Sequence, residues 1–122
     1  MKILVVDDHE SMRRIVKQTL MELGYKNVSL ASDGSTALPM LKQDDYDFLV
    51  SDWNMPEMQG IDLLKAVRAD PNLTDLPVLM VTAEAKKEQI IDAARSGVND
   101  YVVKPFNRKT LSLKIENIFS KL

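Results

Sequence analysis

Two adjacent aspartates, Asp7 and Asp8, follow the first apolar run of the chain, and Asp52, Thr82 and Lys104 follow three later ones. Taken singly, each residue has an ordinary explanation. An Asp after a strand is usually a turn residue or a helix cap, and a Lys there is solvated. Three acids, a hydroxyl and an ammonium, all at the ends of apolar runs, are harder to explain that way. Carboxylates brought close together repel unless something neutralises them. A hard divalent cation does so, and Mg²⁺ favours a few carboxylates with water and phosphate oxygens. The chain has no cysteine and a single histidine, His9, so its donors are oxygens and point to Mg²⁺, with Mn²⁺ able to substitute, over zinc or copper. Lys104 and Thr82 would then surround the oxygens of a transferred phosphoryl group. One carboxylate would act as the nucleophile and become an aspartyl phosphate. Asp52 is the best candidate, because the adjacent pair Asp7 and Asp8 works better as a metal clamp.

These groups meet only if the elements carrying them share one rim. The runs Ile3–Val6, Val28–Ala31, Phe48–Val50, Val78–Val81 and Tyr101–Val103 are mostly continuous rather than alternating, which suits strands buried on both faces. Stretches with helical spacing lie between them. Met12, Ile15, Val16, Thr19, Leu20 and Leu23 form a stripe stopped by Gly24. Ile61, Leu64 and Val67 form another before Asp70-Pro71, and Ile90, Ile91 and Ala94 a third before Gly97. Leu111, Ile115, Ile118, Phe119 and Leu122 form the last, with Asn107 as its N-cap. A helix is also expected after Asp33-Gly34, through Ala37, Leu38 and Leu41, with Pro39 tolerated near its first turn. Alternating strands and helices imply a parallel sheet covered on both faces. Such sheets bind ligands beyond the carboxyl ends of their strands, at a topological switch point.

The composition fits one soluble domain: 122 residues, 45% apolar and 28% charged. With 16 Lys+Arg against 18 Asp+Glu the net charge is −2, which argues against a nucleic-acid binder. No stretch approaches the roughly 18 apolar residues of a membrane span. Met1-Lys2 and a short apolar run do not make a signal peptide, so the expected location is the cytoplasm.

The sequence resembles the receiver domains of bacterial response regulators, with residues 1–122 forming a single such domain. Within that family it is similar to the single-domain chemotaxis regulators. The resemblance rests on Val5-Val6-Asp7-Asp8, Met12-Arg13-Arg14-Ile15-Val16, Ser51-Asp52-Trp53-Asn54-Met55-Pro56, the stretch from Leu76 to Glu88, and Tyr101-Val102-Val103-Lys104-Pro105-Phe106. It implies a flavodoxin-like (βα)5 three-layer sandwich whose five-stranded parallel sheet has the order 2-1-3-4-5. It implies that Asp52 takes a phosphoryl group from the phosphohistidine of a chemotaxis histidine kinase. Asp8, Asp52 and the backbone carbonyl of Asn54 would hold Mg²⁺, with Asp7 reaching it through water. Lys104 would pair with the phosphoryl oxygens, Thr82 would move toward them, and Tyr101 would swing inward behind it. The Lys104–Pro105 peptide would be cis. Asn54, Glu84 and His9 would tune the attack of water on the acyl phosphate.

The implied output surface lies on the fourth helix, fifth strand and fifth helix. It takes in Ala85, Lys86, Lys87 and Ile90, then Tyr101, Val103, Phe106 and Lys114. The implied partners are the kinase, the flagellar motor switch protein and a phosphatase, with neither nucleic acid nor membrane. The protein would be a monomeric phosphoacceptor switch rather than an enzyme, promoting its own phosphorylation and slow autodephosphorylation.

Some positions depart from the chemotaxis pattern. His9-Glu10 replace an aromatic or small residue followed by Ser, Asp100 stands where a small residue is usual, and Asn117 replaces a Lys. Leu113 falls off the buried stripe and is expected to be exposed. These changes leave the phosphorylation chemistry intact but weaken the case for the motor as output. A receiver that serves as a phosphate sink or in another pathway is the alternative. An Mg²⁺-dependent phosphatase is a third reading, opposed by Asn54, because haloacid-dehalogenase-like enzymes need an acid two residues after the nucleophile. Trp53 is read as partly surface packing, the seven methionines as core and gap filling, and Lys86 and Lys87 as a solvated helix start.

Overall fold

The computed structural model describes residues 1–84 and 86–122. Among them, strands and helices alternate: β1 (Lys2–Val6), α1 (Glu10–Glu22), β2 (Asn27–Ala31), α2 (Gly34–Gln43), β3 (Phe48–Asp52), α3 (Gly60–Ala69), β4 (Val78–Thr82), α4 (Lys87–Arg95), β5 (Asp100–Val103) and α5 (Arg108–Ser120). The strands form one parallel sheet in the order β2-β1-β3-β4-β5. The strand order and fold class agree with the expectation from sequence.

The continuous apolar runs follow from cover on both faces. Ile3 and Val5 of β1, with Phe48 and Val50 of β3, pack against Val16 and Leu20 of α1 and Leu111, Ile115 and Ile118 of α5. The intervening Leu4, Val6 and Leu49 pack on the other face, against Ala37 and Leu41 of α2, Leu63, Leu64 and Val67 of α3, and Ala93 of α4. Because side chains alternate along a strand, each run must be apolar throughout to fill both layers. Phe119 closes the first layer edge-on to Phe48, ring centroids 5.2 Å apart.

Helix ends follow local chemistry. Asp33 caps α2 by accepting from the Thr36 amide at 2.8 Å, and Asn107 caps α5 by accepting from the Thr110 amide at 2.8 Å. Gly24 and Gly97 leave α1 and α4 with φ of 99° and 89°, a backbone region that favours glycine.

Three expected details are corrected. Ile15 points outward, 52% exposed, so the buried stripe of α1 is narrower than its apolar pattern. In α4 the inward residue is Ala93, while Ile91 and Ala94 are exposed. Pro39 lies past the first turn of α2, at the sixth of its ten residues, and the helix runs through it. Its exposed position leaves the ring in solvent, and the Asp33 cap supports the turn before it.

Candidate functional site

β1 and β3 are neighbours in the sheet although α1, β2 and α2 separate them in the chain. That reversal puts the carboxyl ends of both strands side by side. Asp7 follows β1 and Asp52 ends β3, and both are buried, 2% and 4% exposed. Thr82 ends β4 and is also buried, and Lys104 follows β5. The Lys104 ammonium lies 3.2 Å from Oδ2 of Asp7 and 3.2 Å from Oδ1 of Asp52. Asp8 is more open and faces His9, whose Nδ1 lies 3.1 Å from Asp8 Oδ1 and 3.4 Å from Asp7 Oδ1. Asp7, Asp8, His9 and Asp52 can each offer one ligand atom so that all lie within 4.8 Å of one another.

The surrounding backbone fixes these groups. The Trp53 amide donates to Asp52 Oδ1 at 2.9 Å, and the His9 amide to Asp7 Oδ1 at 2.9 Å. Arg13 on α1 donates to the Asp7 carbonyl at 2.6 Å, which anchors the β1–α1 turn. Burial raises the Asp52 carboxyl pKa above its ordinary range and the Asp7 charge adds to the rise, with Lys104 opposing both. One lysine therefore pairs with two of three clustered carboxylates. This oxygen-rich, under-neutralised donor set fits a divalent cation.

Other residues singled out in the sequence occupy the rim or lie beyond it. The Thr82 hydroxyl is turned into its own loop, donating to the Glu84 carbonyl at 2.9 Å and accepting from the Glu84 amide at 3.2 Å. Glu84 and Asn54 are exposed, and the Glu84 carboxylate pairs with Lys86 at 3.8 Å rather than joining the cluster. His9 is the exposed N-cap residue of α1. The Lys104–Pro105 peptide is cis. Tyr101 lines a crevice of about 10 Å³ with Trp53, Thr82, Glu84, Gln89, Ile90 and Ala93. Val103, Lys86 and Lys87 are exposed, and Phe106 and Ile90 half-buried. Ala85 lies outside the described residues. Lys114 on α5 is engaged by Asp100 on β5 at 3.1 Å.

Two features were not foreseen. Trp53 is a core residue, 6% exposed, rather than surface packing. Gly60 is required by a close approach: a Cβ there would run into the Asp52 carbonyl oxygen and lie 2.7 Å from Met80 Cε. Its amide donates to the Trp53 carbonyl at 2.8 Å, tying the start of α3 to the end of β3. A glycine opening a helical stripe was the available signal, since glycine weakens a helix unless space demands it.

Comparison with known proteins gives a consistent family. The response regulator receiver domain profile matches residues 3–116. The chain is 64% identical to the chemotaxis protein CheY-3 of Vibrio cholerae over 122 residues, all of this chain and 94% of that protein. It is 63% identical to the chemotaxis protein CheY of Pseudomonas aeruginosa, again over the full chain and 98% of that protein. The crystallised CheY4 of Vibrio cholerae superposes with a TM-score of 0.90 at 38% identity, covering 96% of this chain and 97% of that one. The receiver domain of a Pseudomonas aeruginosa sensor histidine kinase, with a magnesium ion coordinated in its active-site cleft, superposes with a TM-score of 0.85 at 29% identity, covering 97% of each chain.

Proposed function

The chain belongs to the response regulator receiver family, a family of phosphoacceptor switches, and on that premise we propose that Asp52 is the phosphoacceptor of a chemotaxis phosphorelay. The observation that carries this reading is the Lys104 ammonium held 3.2 Å from both Asp7 and Asp52 at the rim where the sheet order reverses. An oxygen of Asp52 attacks the phosphorus of a phosphohistidine. The P–N bond breaks and its electron pair stays on the imidazole nitrogen. Asp8, Asp52, the Asn54 carbonyl and, through water, Asp7 would hold Mg²⁺, which would supply charge neutralisation for the phosphoryl oxygens. Lys104 transfers its hydrogen bond from the carboxylate to a phosphoryl oxygen. The Thr82 hydroxyl exchanges its Glu84 partners for another. Asn54, Glu84 and His9 meter the approach of water.

Thr82 and Tyr101 line the same crevice, so moving the hydroxyl changes what Tyr101 packs against. The face of α4, β5 and α5 is thereby biased, and a partner that prefers the biased face binds better. The partner proposed is the flagellar motor switch. A receiver serving another output is favoured by one observation, the capture of Lys114 by Asp100.

Acetyl phosphate with Mg²⁺ should add one phosphoryl group to the protein, read by intact mass, and none after Asp52→Asn or chelation of the metal. Full labelling of Asp52→Asn would overturn the assignment.

A further inference from the structure

The α5 cation on the proposed output face is Lys114, and in this chain it is already taken. Its Nζ lies 3.1 Å from Oδ1 of Asp100 and 5.2 Å from the centroid of the Tyr101 ring. We propose that Asp100 is a specificity-determining residue of the output face, an internal competitor that latches Lys114 over Tyr101 and must be displaced before an acidic partner can use that cation.

Three features make the latch more than a surface ion pair. First, its anchor is fixed in place, because Asp100 Oδ1 also accepts from the Tyr101 amide at 2.8 Å. Second, it is drier than its neighbours. The Asp100 and Lys114 side chains are 16% and 33% exposed, against 61% and 43% for the Arg108–Glu22 pair of equal length. Exposed pairs contribute little, and desolvation strengthens the attraction. Third, the cation rests on the aromatic ring, so a shift of Tyr101 gives up that contact too. The opening beside the pair, lined by Asp100, Thr110, Leu113, Lys114 and Asn117, contains one charge of each sign, so it offers no net attraction to an acidic segment. Displacing Lys114 would also leave a mostly buried carboxylate with only its backbone donor.

This inference rests on the output-face reading above, and two measurements separate their failures. The first reads the Tyr101 ring resonances of the unphosphorylated protein in wild type, Asp100→Asn, Lys114→Gln and the double variant. Asp100→Asn keeps the shape and an acceptor for the Tyr101 amide. If the pair is a latch, each single substitution shifts the ring and the double shifts it no further. Additive shifts would overturn the latch. The second titrates a synthetic amphipathic helical peptide carrying three glutamates against the acetyl-phosphate-treated protein at low salt. Asp100→Asn should tighten binding about three- to tenfold, a gain that shrinks at high salt and disappears in the Lys114→Gln background. An equal gain in both backgrounds would reduce Asp100 to a contribution to net charge and overturn its role as competitor. Non-additive ring shifts with no peptide binding by any variant would establish the latch and remove the output-face reading.

Discussion

Asp52 sits where a negative charge is least favoured, and that has a consequence for stability. Its carboxyl is buried beside Asp7, and both effects raise its pKa above that of an unfolded aspartate, with Lys104 and the Trp53 amide in opposition. A carboxyl whose pKa is raised on folding favours the folded state only while protonated. Stability is therefore lost as pH rises from the ordinary carboxylate range through the raised folded value, and the loss is complete above it. Without divalent metal, Asp52→Asn should be more stable than wild type at neutral pH by about 1–2 kcal/mol, because Lys104 is left with one buried carboxylate instead of two. Thermal melts in chelator should show this as a rise of several degrees, fading as the pH drops below about 4. A variant no more stable at pH 7 would mean that Lys104 already offsets the repulsion. The residues of this cluster were legible in the sequence because each stands within two residues of the end of an apolar run, where alternating strands and helices predict a shared rim. The Thr82 hydroxyl was legible only by type. Its present bonds, to the main chain of Glu84, depend on a loop conformation that residue order does not specify.

Single groups hold their positions only because neighbouring elements approach closely, and two of those approaches can be tested. Gly60 lets the start of α3 pass against the Asp52 carbonyl. Gly60→Ala must push that turn away or move β3, so it should destabilise the fold by about 1–3 kcal/mol in urea titrations and slow labelling of Asp52 by acetyl phosphate. Arg68 acts at the opposite end of the sheet. Its guanidinium donates to the carbonyls of Gly97, Thr74 and Leu76 and to Asn99 Oδ1, clamping α3 to the loops that lead into β4 and β5. A lysine cannot reproduce that fork. Arg68→Lys should therefore cost about 1–3 kcal/mol of stability in the same titration and leave the rate of Asp52 labelling unchanged. The elements themselves were legible from periodicity and end signals such as Gly24, Gly97 and Asn107. What periodicity missed were the inward faces of thinly covered helices. The α4 stripe predicted Ile91 and Ala94 inward, yet the helix turns Ala93 toward the sheet and leaves both of them exposed. The Trp53 ring was misassigned for the converse reason: α4 and Tyr101 cover it, and neither is near in sequence.

At the scale of the molecule, the sheet concentrates its unfavourable electrostatics at one rim while apolar contacts fill both faces beneath it. Asp52 is brought to Asp7 and Asp8 only by the pairing of β3 with β1, so its repulsion with them exists only in the folded chain. A ligand that neutralises them binds the folded state and not the unfolded one, and it must stabilise the whole cooperative unit. Mg²⁺ should therefore raise the melting temperature of the entire domain, by an amount corresponding to about 2.7 kcal/mol at a concentration 100 times its Kd. Trp53 adjoins Asp52 and is the only tryptophan, so its emission should change over the same range of Mg²⁺ and provide a local reading of the site. Asp8 has 28% of its side chain exposed and makes no contact with Lys104, so Asp8→Asn should fold as well as wild type in chelator. In that variant both responses should weaken together, the thermal shift reporting the global fold and the fluorescence reporting the rim. Coincident loss of the two places the cation at the carboxylate cluster. A thermal shift that survives in Asp8→Asn while the Trp53 response disappears would locate the stabilising metal elsewhere on a chain of net charge −2.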